Sequence, residues 1–222
     1  ETGPHYDHWP PMSHQLVYGK PNQSKADVVR AFAERAFRRP LPNEHLVPYL
    51  KLAEDSPEGI RTAIEAILCS PRFLYFNEPP GKLDDYAIAS RLSYFLWNTM
   101  PDDALMTDAK NGKLSEPAAL EAQLKRMLAD SRSDEFVKSF TWAWLRLEST
   151  VEMAPDPMKF YDYHRNRIAD AMFAETTAFF RHLMKENLPV SNFIDSDFAI
   201  INADLGRHYG MPGKVKTTAK FK

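Results

Sequence analysis

From residue 113 to residue 205 the chain contains no glycine, while apolar residues recur there at the three- and four-residue spacing of helices. A stretch of that length without glycine has no place for a phosphate-cradling loop. The eight glycines, at 3, 19, 59, 81, 112, 206, 210 and 213, match neither the dinucleotide fingerprint nor the P-loop spacing. Nucleotide-binding α/β folds are thereby disfavoured. Prolines among the 17, such as Pro40, Pro42, Pro71 and Pro189, stand instead at the ends of the periodic segments, where the rigid ring and missing N–H are tolerated.

Reading between those prolines predicts a series of helices. Ser24 caps the first, with Val29, Phe32, Ala33, Ala36 and Phe37 on one face, and Pro40 and Pro42 close it. A second follows Asn43 with Leu46, Leu50 and Ala53. A third opens at Ser56 and Pro57, repeats Ile60, Ala63, Ile64 and Ile67, and stops at Pro71. Asp84 or Asp85 caps the segment YAIASRLSYFLW, apolar nearly all round and so buried on most sides. A short helix begins at Asp102 and Asp103. Ser115 opens one bearing Leu120, Leu124, Met127 and Leu128. Ser131 opens one bearing Phe136, Phe140, Trp142 and Trp144, expected at the centre of the core. A long helix spans about Asp162 to Glu186, and a last short one is ended by Gly206 or Gly210.

The fold expected is all-α, a multi-helix bundle-like array with an extended N-terminal strip over residues 1–23. Residues 24–76 form a small helical unit, 77–82 a linker, and 83–213 the main helical domain. In the tail, 214–222, Lys alternates with Val215 and Phe221 as at the start of a strand that continues into a missing region.

The formal net charge is -2, with basic residues scattered along the chain, so the footprint of a nucleic-acid binder is absent. No apolar run approaches the roughly 20 residues that span a bilayer. The single cysteine, Cys69, excludes an intrachain disulfide and reads as a small buried hydrophobe beside an apolar helix face.

Few residues suggest chemistry. Arg91 in the apolar helix and Glu175 on the apolar stripe of the long one are charges at core positions, and such charges are rarely buried without a partner. The two are expected to form a structural ion pair. No Glu-x-x-His pair or H-E-x-x-H motif offers a metal site. His5, His8 and His14 around Trp9 belong to a proline-stiffened strip. Asp195, Asp197, Asn202 and His208 form the densest polar cluster near the C-terminus. The catalytic candidates are therefore Glu175, Arg91, Asp195 and His208, with no assigned cofactor or metal ligand in this stretch.

The ordered strings AFAERAFRRPL, AILCSPRFLYF, LDDYAIASRLSYFLWNTMPDDAL and INADLGRHYG resemble the planctomycete-type domains of unknown function found in large secreted proteins that also carry c-type cytochrome modules. The resemblance runs from Trp9 to Gly213. It implies an extracytoplasmic, multidomain protein of unestablished activity, and it supplies no catalytic residues. The chain has no C-x-x-C-H for covalent haem attachment, so haem c would reside in other modules; Met12, His208 and Met211 are the residues here that could ligate such a haem axially. The expected role is a non-catalytic scaffold or docking module whose partners are other modules of the same polypeptide or a separate protein. The alternative is a catalytic domain, an oxidoreductase or polysaccharide-acting hydrolase, with its site near Glu175 and the C-terminal Asp/His cluster.

Overall fold

A computed structural model describes residues 14, 17–18, 23–53, 56–76, 78, 80–149 and 154–211. Its elements are helical, and no strand occurs among the described residues. In chain order they are α1 (Lys25–Phe37), α2 (Asn43–Leu52), α3 (Pro57–Leu68), α4 (Pro71–Leu74), α5 (Asp85–Trp97), α6 (Asp103–Lys110), α7 (Pro117–Ala129), α8 (Asp134–Leu145), α9 (Tyr161–Arg165), α10 (Ile168–Lys185) and α11 (Ala203–His208), with 3₁₀ turns at Ser131–Ser133 and Val190–Phe193. The expected all-α, bundle-like array is what the chain forms. The strand start in 214–222 lies outside the described residues, as do residues 1–13, 15–16 and 19–22 of the N-terminal strip expected over 1–23; His14, Val17 and Tyr18 of that strip are helical and not extended.

The chain gathers into two compact units, residues 1–94 with 99–123 and residues 95–98 with 124–222. In the first, α1, α2 and α3 close on a core of Val29, Ala33, Phe37, Leu41, Leu46 and Ile67. The caps come from short polar side chains: Ser24 accepts from the Asp27 N–H at 3.1 Å, and Ser56 accepts from the Gly59 N–H at 3.0 Å. Each satisfies an N–H that the first helical turn would otherwise leave without a partner. Val17 and Tyr18 pack on a neighbouring cluster of Val28, Ile60 and Ile64. Cys69, expected to be buried, is exposed. It is the C-cap of α3, one residue past the last turn, and lies about 200° round the helix from the buried Ile67.

Helix α5 is buried on most sides, and only Arg91 and Phe95 of its residues are exposed. Its two opening aspartates divide the work. Asp84 accepts from the Ala87 N–H at 2.8 Å as the cap. Asp85 is buried and accepts from the Leu114 N–H at 2.7 Å and from the Ser115 hydroxyl, which ties the 111–116 loop to the start of α5. Ser115 is thus a tether, and α7 starts at Pro117.

In the second unit the Trp97 indole N–H donates to the Met127 carbonyl at 3.0 Å, and the Arg132 guanidinium lies 3.5 Å from the Trp97 ring centroid. Asp130 fixes that guanidinium through bonds of 3.0 and 2.7 Å, and it also caps the 3₁₀ turn through the Arg132 N–H. The cap at this point is Asp130, so Ser131 does not open the helix; α8 begins at Asp134. The expected helix from Asp162 to Glu186 is two helices, α9 and α10, separated by Asn166 and by Arg167 in a left-handed conformation (φ 51°). Ile168 and Ala171 of α10 bury against Leu205 of α11. Helix α11 ends ahead of Gly210 (φ 71°), while Gly206 is buried inside it.

Candidate functional site

The charged residues singled out from sequence have separate partners. The Arg91 guanidinium donates to the Glu78 carboxylate at 2.8 Å, with the arginine side chain half exposed. Glu175 accepts from the phenol of Tyr209 at 2.9 Å. The partner each has within its own unit is thus another than the Arg91 with Glu175 ion pair expected from sequence. Arg91 lies on the exposed line of α5, so its charge needs no core carboxylate.

Around Glu175 the second unit assembles a short polar and aromatic group. Helix α10 carries Glu175 and α11 delivers Tyr209 to it from just past its last turn. Partial burial, followed by the hydrogen bond to Glu175 and that carboxylate's charge, pushes the Tyr209 phenol up to about 12. The neighbouring His208 ring lies 5.8 Å from Tyr209 and 6.1 Å from Tyr163, on the exposed side of α11. Asn202, from the same sequence cluster, is the α11 cap and accepts from the Leu205 N–H at 2.8 Å. Asp195 and Asp197 are exposed, and Asp195 is held by its backbone N–H to the Ser191 carbonyl at 2.9 Å. His182 packs its ring on Phe198 at 5.3 Å. Met211 is half-buried and donates its N–H to the Gly206 carbonyl; Met12 lies outside the described residues. Among the described residues no group of three or more His, Cys, Asp or Glu is placed to hold a metal ion. No helix is long and apolar enough to cross a membrane.

The most extensive feature of the second unit is aromatic. Phe136, Phe140 and Trp144 follow one another every four residues along α8, so their rings stand in line, with successive centroids 5.4 and 5.6 Å apart. Phe95 adds to one end at 4.9 Å from Phe136, and Phe193 to the other at 5.3 Å from Trp144. Phe180 of α10 backs the line at 5.3 Å from Phe140. A ladder of this kind inside a core would be dry. Here Phe95 is 61% exposed, Trp144 49% and Phe140 39%, and the adjoining Val190 and Ile194 are exposed as well.

This corrects the expectation that α8 is central to the core. Its fully buried side chains are Val137 and Thr141, while Trp142, on the opposite side from Trp144, contacts Phe173 at 5.1 Å and is itself 39% exposed. Sequence reasoning found these aromatics and assigned them the wrong surroundings. Four-residue spacing marks a helix face; it is equally satisfied by a face that meets the core and by one that meets another surface.

Comparison with family profiles matches residues 83–211 to a family described as PSD4, protein of unknown function (DUF1592), and residues 25–78 to one described as PSD5, protein of unknown function (DUF1595). Curated proteins and solved structures give no match.

Proposed function

Since the chain belongs to the DUF1592 family of proteins of unknown function, whose profile matches more than half of it, we propose that it is a non-catalytic helical docking module. Its binding face is the aromatic ladder from Phe95 through Phe140 and Trp144 to Phe193. The observation that carries this reading is the exposure of that ladder. Aromatic side chains bring large apolar area at low entropic cost, and they dominate the anchors of protein interfaces. An apolar strip of this extent on a folded surface marks an interaction site.

The partner proposed is another module of the same polypeptide, in a planctomycete-type, extracytoplasmic protein. Haem c, on this reading, is carried by such modules. The support for that part is the resemblance of the ordered sequence strings described above. NEPPGK at 77–82 is then the linker between the two family modules.

Quenching of tryptophan fluorescence by acrylamide tests the docking face. Trp144→Phe identifies the Trp144 signal by difference. Trp144 should be freely quenched in this chain alone and shielded when the chain is part of the full-length polypeptide. Equal quenching in both would overturn the proposal.

A further inference from the structure

Helix α1 ends in the first unit on a residue that is costly to place there. Arg38 adopts a left-handed conformation (φ 58°) as the C-cap, and it is 7% exposed. A guanidinium removed from water to that degree costs several kcal/mol unless a compensating charge stands beside it. Arg38 has no carboxylate within ion-pair distance among the described residues. Its hydrogen bonds go to neutral carbonyls, those of Arg72 at 3.2 Å and Phe73 at 3.4 Å. The rings of Phe76 and Tyr94 lie 5.4 and 5.6 Å from its guanidinium carbon.

The same arginine lines a cleft of about 250 Å³, walled by Phe37, Tyr75 and Phe76 and bordered by Arg39, Arg72 and Glu78. The charges around the cleft do not cancel. Arg39 is held by the Asp84 carboxylate through two bonds of 2.9 and 3.2 Å, and Glu78 is held by Arg91 at 2.8 Å. Arg72 is exposed, and among the described residues its guanidinium bonds the His45 ring, at 3.0 Å to Nδ1. Once these pairs are formed, the cations of Arg38 and Arg72 have no carboxylate partner among the described residues, in a chain whose overall charge is -2.

We propose that this cleft binds a small organic carboxylate, its apolar ring against Phe76 and Tyr75 and its charge on Arg38 and Arg72. Planar guanidinium forks match a carboxylate through paired hydrogen bonds, and these are among the strongest hydrogen bonds in proteins. The cleft is slightly below the size range of sites for drug-sized ligands, which fits a ligand of one ring. Aromatic walls distinguish such a ligand from inorganic anions, which offer no apolar surface to bury. The site lies in the first unit, apart from the aromatic ladder, so it stands or falls independently of the docking reading.

Benzoate is the probe, followed by calorimetry on the whole chain, with benzamide as its uncharged counterpart and inorganic phosphate as a ring-free anion. The expected result is saturable binding of benzoate, with benzamide and phosphate each weaker by about tenfold or more, as the loss of one charge-assisted contact or of ring burial predicts. Arg72→Gln should weaken benzoate by about tenfold and leave the melting temperature of the free protein unchanged, because the Arg72 carbonyl that holds Arg38 is retained. Arg38→Gln removes a buried side chain and can unfold the unit, so Arg72→Gln carries the decision. Absence of saturable benzoate binding, equal affinity for benzamide, equal affinity for phosphate, or unchanged affinity in Arg72→Gln would each overturn the proposal.

Discussion

The Tyr209 phenol donates to the Glu175 carboxylate at 2.9 Å across 34 residues of sequence, joining the end of α11 to the middle of α10. Its pKa is raised to about 12, from an ordinary value near 10. A raised acid pKa means that the folded state holds its proton more tightly than the unfolded state. The resulting stability is therefore fully present below about 10 and is lost as the pH climbs from there through about 12. Ultraviolet titration should show a tyrosine step at about 12. That late step should disappear in Tyr209→Phe and move to lower pH in Glu175→Gln. The alkaline fall in melting temperature should also be smaller in Tyr209→Phe.

Asp130 has the opposite sign. Its hydrogen bonds from the Arg132 side chain and then the Arg132 backbone hold its carboxyl down at about 2. A depressed carboxylate pKa stabilises the fold above the unfolded value near 3.9, and the contribution drains away as the pH falls toward about 2. Asp130→Asn should lower the melting temperature at neutral pH, and the gap from the parent protein should close between those two values. A gap constant from neutral pH to acid would mean that the carboxylate does not hold Arg132 against Trp97.

Ile67 and Cys69 stand two residues apart with opposite expectations. Ile67 is fully buried in the first core, so Ile67→Ala should cost about 2–5 kcal/mol in a urea titration. Cys69→Ala, at an exposed helix cap, should stay within about 0.5 kcal/mol. The cysteine should also react readily with a thiol reagent in the folded protein.

Asp85 is a buried anchor whose acceptors are used by the 111–116 loop. Asp85→Ala leaves the buried Leu114 N–H without a partner and should cost about 1–3 kcal/mol. Asp85→Asn keeps one acceptor oxygen and should lose less. Chemical unfolding of the two variants side by side measures the difference.

Local chemistry was legible in the sequence where a short polar residue precedes a periodic run. Ser24, Ser56 and Asp102 each cap the helix they announce, because an N-cap needs only a side-chain oxygen and the next three residues. The break between α9 and α10 was not legible. It rests on Arg167 in the left-handed region with neither glycine nor proline at the turn, and arginine is an ordinary helix former by propensity. Glu78 as the partner of Arg91 was hidden for a different reason. The bond depends on where Glu78 stands relative to α5, which no helical period encodes. The aromatic ladder shows the same limit at the level of packing: its spacing was visible, and its exposure was not.

Among the described residues five non-glycine residues, Arg38, Asn98, Arg146, Arg167 and Asn187, occupy the left-handed region, three of them within the stretch that lacks glycine. The scarcity of glycine is therefore not a scarcity of left-handed turns. In terms of mutational drift, these are positions where glycine would relieve backbone strain of about 1–2 kcal/mol and still close the same turn. Gly112 mirrors them: a Cβ there would meet nothing within 4 Å, so only its φ of 69° resists a side chain. Turn geometry in this chain is thus open to exchange among glycine, asparagine and arginine. At Arg38 that exchange would carry away a buried cation together with the turn, so drift at this one position is constrained by charge rather than by backbone.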